Sequence, residues 1–156
     1  MSAHFIEEKV EDAFQSALLT ENGGTLTGVD ISGGTFDGFK IFKGFSLQDI
    51  EPPFIAVICA QSGPEDKPAA EFTGNQACTL TIGVYGHKGD TTRAAHAAIV
   101  GAVRDFMYAS NAVALLNAAG VTEFTVLYVR PLQATREVQF GMLKTTQQLR
   151  ILCRPS

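Results

Sequence analysis

Apolar residues recur at helical spacing from the start of the chain. Ile6, Val10, Ala13, Phe14, Ala17 and Leu18 fall on one face of a helix predicted from residue 2 to about residue 20. Ser2 can cap its first turn, while Glu7, Glu8, Glu11 and Asp12 are expected on the opposite, solvated side. The sequence "ENGG" then ends the helix, because Asn and Gly accept the left-handed conformation.

The period changes after this point. "TLTGVDIS" and "FKIFKGF", separated by the glycine-rich "GGTFDG", read as two short strands of a β-hairpin over residues 24–45. Pro52 and Pro53 fix an extended approach to "FIAVICA", Phe54 to Ala60, which is apolar throughout and suits a strand buried on both faces. "QSGPEDKPAA", residues 61–70, is polar, holds two prolines and reads as a flexible loop. In "EFTGNQACTLTIGVYG" the apolar residues Cys78, Leu80, Ile82 and Val84 alternate with Thr79, Thr81 and Gly83, so one face of that strand is buried.

A second helix follows. Asp90 is a suitable N-cap, Ala95, Ile99, Ala102, Val103 and Phe106 form the apolar stripe, and Arg93 and Arg104 lie off it. A short helix from about Asn111 to Ala119 stops at Gly120. "VTEFTVLYV" is a strand. Beyond "RPLQAT", Val138, Phe140 and Met142 alternate on one parity and Leu149, Ile151 and Cys153 on the other, which requires a bulge or turn near Lys144 to Gln147. Helix, strands, helices and two final strands make an α+β domain over residues 1–156. It has an antiparallel or mixed sheet with helices mainly on one face.

Composition narrows the function more than the fold. The chain has 156 residues, 46% of them hydrophobic, enough for a packed core without disulfides or metals. A net charge of −4 and scattered Lys and Arg argue against a nucleic-acid-binding role. Cys59, Cys78 and Cys153 all sit in apolar runs without a CxxC or Cys-His spacing, and so read as buried thiols in a reducing compartment. The acidic start is unlike a signal peptide, and no apolar run approaches the roughly 20 residues that span a bilayer, so a soluble protein made in a cytoplasm is expected.

The one stretch that looks chemical is "GVYGHKGDTT". A phosphate loop places its lysine after the last glycine. Here Lys88 precedes Gly89, and Asp90 puts a carboxylate where phosphate would bind. The residues instead suit a hinge, with Gly86 and Gly89 permitting the turn and His87 exposed. The dinucleotide pattern GxGxxG and the nucleophile elbow GxSxG are both absent. His4, His87 and His96 have no carboxylate partner at a metal-ligand spacing. The acidic pairs Glu7/Glu8, Glu11/Asp12 and Glu65/Asp66 read as solvated surface. The expectation is a chain with no catalytic residues, no metal and no cofactor, and no enzymatic activity.

From residue 50 to 154 the order of parts resembles the tail terminator, or tail completion, proteins of long-tailed bacteriophages and prophages. The resemblance rests on "PPFIAVICA", the loop after it, "CTLTIGVYGHKGD", the helix "TTRAAHAAIVGAVRDFM", the short helix "NAVALLNAAG" and the closing strands ending "QQLRILC". The 24–45 hairpin is a departure from that plan. The resemblance implies a virion structural subunit, assembled in the host cytoplasm, that forms a ring, typically hexameric, with copies of itself. Such a ring ends the tail tube, so its partners are the tail tube protein and a head-completion or connector protein, with no specific nucleic acid and no membrane. Pro64, Glu65, Asp66 and Lys67 would then lie on the tube-facing loop, and Arg130 and Arg136, at the ends of the predicted strands, would link neighbouring subunits. Another neck or tail connector subunit, and a small-molecule-binding α+β domain, are the alternatives.

Overall fold

The computed structural model describes residues 7–44, 53–64, 75–87, 90–119, 122, 124–139 and 142–155. It opens with α1, Glu7–Asn22, which buries Val10, Phe14, Ala17 and Leu18 at the expected spacing and stops where Gly23 and Gly24 take φ of 74° and 121°. Ser2 lies outside the described residues. Glu11 departs from expectation, because it is buried rather than solvated.

Strands β1, Thr25–Thr27, and β2, Asp30–Ser32, form a hairpin between themselves. The expected single strand "TLTGVDIS" folds back at Gly28, whose φ of 63° allows a two-residue turn to Val29. Strand β3, Lys40–Lys43, meets β2 only at Asp30↔Lys40 and runs parallel to β4, Phe54–Pro64. The expected loop at 61–70 therefore starts late. Gln61 to Pro64 remain in β4, paired across a bulge with β5, Gln76–His87, and Pro64 ends a strand rather than sitting in a loop. The remainder of that loop, with Glu65, Asp66 and Lys67, falls outside the described residues.

Helix α2, Asp90–Tyr108, begins at Asp90 itself rather than one residue after it, and α3 is Ala112–Asn117. In α2 the inner side is Ile99, Val103 and Phe106. Ala95 is exposed and its neighbour His96 is buried in its place. The chain closes with β6, Phe124–Gln139, and β7, Met142–Pro155.

The expected irregularity near Lys144 to Gln147 is absent. Strand β7 pairs with β5 in unbroken register from His87↔Met142 to Gln76↔Cys153. The change of parity comes from the β6–β7 turn, since Gln139 pairs with Met142 and leaves only residues 140 and 141 between the strands. "RPLQAT" is not a break either; it continues β6 through a bulge between Pro131 and Ala134.

The result is a seven-stranded mixed sheet in the order β1-β2-β3-β4-β5-β7-β6, antiparallel except for β3–β4. All three helices pack on one face: α1 over β3 and β4, α2 over β5, α3 over β6. Phe14 and Phe106 join α1 to α2 edge-to-face at 5.4 Å. The core between the layers contains Ile55, Val57, Leu80, Ile82, Leu149 and Ile151. On the opposite face Phe54 stacks on Tyr85 at 4.4 Å, Phe42 meets Phe54 edge-on, and Lys144 stands 5.3 Å from the Tyr85 ring centre.

Candidate functional site

Strand β6 lies at the edge of the sheet. Its 16 residues, at about 3.3 Å each, present roughly 50 Å of backbone edge, whereas the edge strand at the other end, β1, has three residues. Open edges of that length are normally shortened, bent or covered. Among the described residues, cover is provided at the start of the strand. Asn117 of α3 accepts a bond from the Val126 N–H at 2.8 Å and donates its own amide to the Val126 carbonyl at 3.0 Å. One side chain thereby substitutes for a neighbouring strand. From Leu127 to Val138, no strand among the described residues pairs with the outer side of β6. Leu127, Tyr128, Leu132 and Val138 are exposed along it, Val138 by 58%.

Arg130 and Arg136 both lie well inside β6 and not at strand ends, because the strand is longer than its apolar pattern suggested. Both are exposed, and neither forms an ion pair with another described residue. Glu137 is 3.9 Å from Lys144 of β7. Arg130 stands opposite Arg150, a like-charge pair, and the Arg150 Nε is buried without a hydrogen-bond partner.

Arg136 also borders a cavity of about 340 Å³ between α2 and the β6–β7 pair, lined by His96, Val100, Arg104 and Thr145 as well. His96 is 3% exposed. Its Nε2 lies 2.9 Å from the Thr145 hydroxyl, while its Nδ1 has no partner. A bare ring nitrogen costs less unpaired than an N–H does, so the proton belongs on Nε2, donated to Thr145. Burial, and secondarily the Arg136 charge, push the His96 pKa down. The ring can sit there because Gly86 of β5 has no side chain: a Cβ at that position would come 3.0 Å from Nδ1. Gly86 is therefore a strand glycine that admits the helix, not the hinge glycine that "GVYGHKGD" suggests. Gln147, buried on the same face of β7, donates its amide to the Val100 carbonyl at 3.4 Å.

At the other side of the helical layer Glu11 accepts the Cys59 N–H at 2.8 Å. Strand β3 pairs with β4 only as far as Val57, and Gly44 N–H takes the Val57 carbonyl. Cys59 points the same way two residues later, past the end of β3, and the carboxylate serves as its partner. Burial is the main cause that raises the Glu11 pKa. Beside it, Asp12 pairs with Lys43. The three cysteines lie on the core face, and the neighbouring Cys78 thiol, then burial, raise the pKa of Cys59 and Cys153. Among the described residues no group of His, Cys, Asp or Glu is placed to hold a metal, and no helix is long and apolar enough to cross a membrane.

Sequence reading singled out Arg130 and Arg136, set His96 aside for want of a carboxylate partner, and gave no role to Arg104, Thr145 or Asn117. Arg104 and Arg136 come together at the cavity; Arg130 faces the other side of the sheet, and Pro64 is far along the sheet on β4. The available signal was polar residues, Thr145 and Gln147, on the parity of β7 that continues into Leu149 and Ile151.

No family model matches the chain, and no curated protein matches it in sequence. In three dimensions it is similar to a chain from the virion of a native gene transfer agent particle, with a TM-score of 0.52 and 12% identity, covering 74% of this chain and 78% of that one. This protein thus has the fold of a subunit found in that virion.

Proposed function

We propose that the chain is a structural subunit of a phage-like virion, located in its tail or neck, and that it acts there as the tail terminator. It is not an enzyme. In this reading copies of the chain close into a ring, typically of six, on the end of the completed tail tube. The ring stops tube growth and offers its far side to a head-completion or connector protein. The observation that carries the reading is the fold shared with a chain of the gene transfer agent virion over most of both chains. The order of elements that resembles tail terminators supports it, as does a long edge strand left open on a compact subunit. The test is removal of the gene from the element that produces the particle. Tubes of uncontrolled length without attached heads are expected; normal tails joined to heads would refute the role. Tails of normal length that fail only to join heads would point to a different neck connector.

One observation favours a small-molecule-binding domain as a second reading. The cavity beside Arg104 and Arg136 carries two guanidinium groups, a set suited to an anion. A thermal-shift series with phosphate, nucleotides and dicarboxylates separates the readings: a saturable rise in Tm for one compound supports the second.

A further inference from the structure

We infer that the β6 edge, together with the Arg104–Arg136 cavity, receives the β1–β2 end of a second copy of this chain, head to tail. This deepens the ring described above and rests on that reading for its biological setting, although the contact itself is a property of the isolated chain. The two ends of the sheet match in three respects. First, both are edges: β6 terminates one side and β1 the other. Second, both are apolar where water would otherwise reach them. Apart from Tyr108, every large hydrophobic residue exposed among the described residues lies at one end or the other, Leu26 and Val29 by the β1–β2 turn and Leu127, Tyr128, Leu132 and Val138 on β6. Third, they differ in charge. Residues 25–39 contain Asp30 and Asp37 and no Lys or Arg, and both acids are exposed. Asp30 stands across from Lys40, which leaves Asp37, whose carboxylate accepts the Gly33 N–H at 2.7 Å, as a charge without a described cation. At the β6 end Glu137 is tied to Lys144, so Arg104, Arg130 and Arg136 leave a net positive edge.

The same charges disfavour the simplest alternative. Two β6 strands paired across a two-fold axis would bring Arg130 and Arg136 of both copies to one junction, and opposed like charges destabilise a strand pair. A head-to-tail contact uses different surfaces on each copy, leaves each copy able to bind on both sides, and closes into a ring when the rotation per subunit allows. An apolar centre with arginines meeting carboxylates at its rim also fixes the direction of approach.

Cysteine cross-linking reads the contact directly, since the three native thiols are buried. Leu26→Cys is made on one tagged chain, and Leu132→Cys or Val138→Cys on another, and each is treated with a short bismaleimide alone and mixed. The expected result is a product in the mixtures, with little from any variant alone. Raising the salt, or adding Arg104→Glu and Arg136→Glu to the β6-side chain, should cut the yield by about tenfold. A Leu26→Cys/Val138→Cys chain should give a ladder of covalent oligomers. A dominant Val138→Cys self-product would overturn the inference in favour of a two-fold β6 pair. So would equal yields for every pairing, or no product at all, the last leaving the edge to a different chain. Because only purified protein is used, a ladder from chains that fail to cap tail tubes keeps the contact and rejects the terminator role.

Discussion

Replacing Glu11 by alanine tests the account of how β4 is completed beyond β3. Glu11 is 7% exposed and its Oε2 is 2.8 Å from the Cys59 N–H. Alanine leaves that N–H buried beside no acceptor, at a cost of about 1–3 kcal/mol. Against this stands relief from burying a carboxylate, the leading cause of its raised pKa. The net expectation near pH 7 is a loss of about 1–2 kcal/mol, or about 2–8 °C in Tm for a chain of this size. Glu11→Gln separates the two contributions, because glutamine keeps an acceptor oxygen and carries no charge. It should match or exceed the parent near pH 7. A carboxyl whose folded pKa is raised gives its full stabilisation below its unfolded value, about 4.3, and loses it as pH rises through the folded value. The advantage of Glu11→Gln over the parent should therefore shrink on acidification from pH 7 to 4. Urea unfolding followed by circular dichroism at several pH values measures all three proteins. Equal midpoints for the alanine, glutamine and parent chains would refute the assigned hydrogen bond, and an advantage of glutamine that grows in acid would refute the assigned burial.

Gly86→Ala should lose about 1 kcal/mol despite removing a glycine from a strand, because the added methyl meets His96 Nδ1 at 3.0 Å. In a double-mutant cycle with His96→Ala the two changes should couple by at least about 0.5 kcal/mol, and strict additivity would place the ring elsewhere. The lowered His96 pKa predicts stability that is whole above the unfolded value of about 6.5 and falls as pH drops toward the folded one. His96→Gln should flatten that part of the pH–stability curve, and an unchanged slope would contradict it. Asn117→Ala removes both bonds that cover Val126 and should cost about 1–2 kcal/mol, with faster hydrogen exchange at the Val126 amide; unaltered exchange there would show that another group covers the edge.

The core was legible where one face of an element is uniformly apolar. Val10, Phe14 and Leu18 on α1, and Cys78, Leu80, Ile82 and Val84 on β5, are buried as their periods predict. Reading failed where a polar side chain is inside and satisfied by a distant group. Thr145 and Gln147 carry the core-facing parity of β7, but their partners, His96 and the Val100 carbonyl, are on α2. Their polarity hid that this side of β7 faces the core as far back as Thr145, so the parity of Val138, Phe140 and Met142 was carried past the β6–β7 turn and a bulge was expected. Glu11 follows the same logic, since its acceptor role exists only because β3 ends at Lys43, more than thirty residues along the chain. The β6 edge was hidden for another reason. Pro131 and the polar run after it resemble a break, yet a bulge on an edge strand accommodates both. Arg130 and Arg136 were noticed as charges at supposed strand ends, but their significance depends on a strand order that local pattern does not encode.

The most direct test of the central claim is electron microscopy of the purified protein mixed with tail tubes from the same particle. The account predicts one closed ring of uniform diameter at a single end of each tube, and no further tube growth when tube protein is added. Tubes that continue to grow with bare ends, or protein bound along their sides, would contradict it.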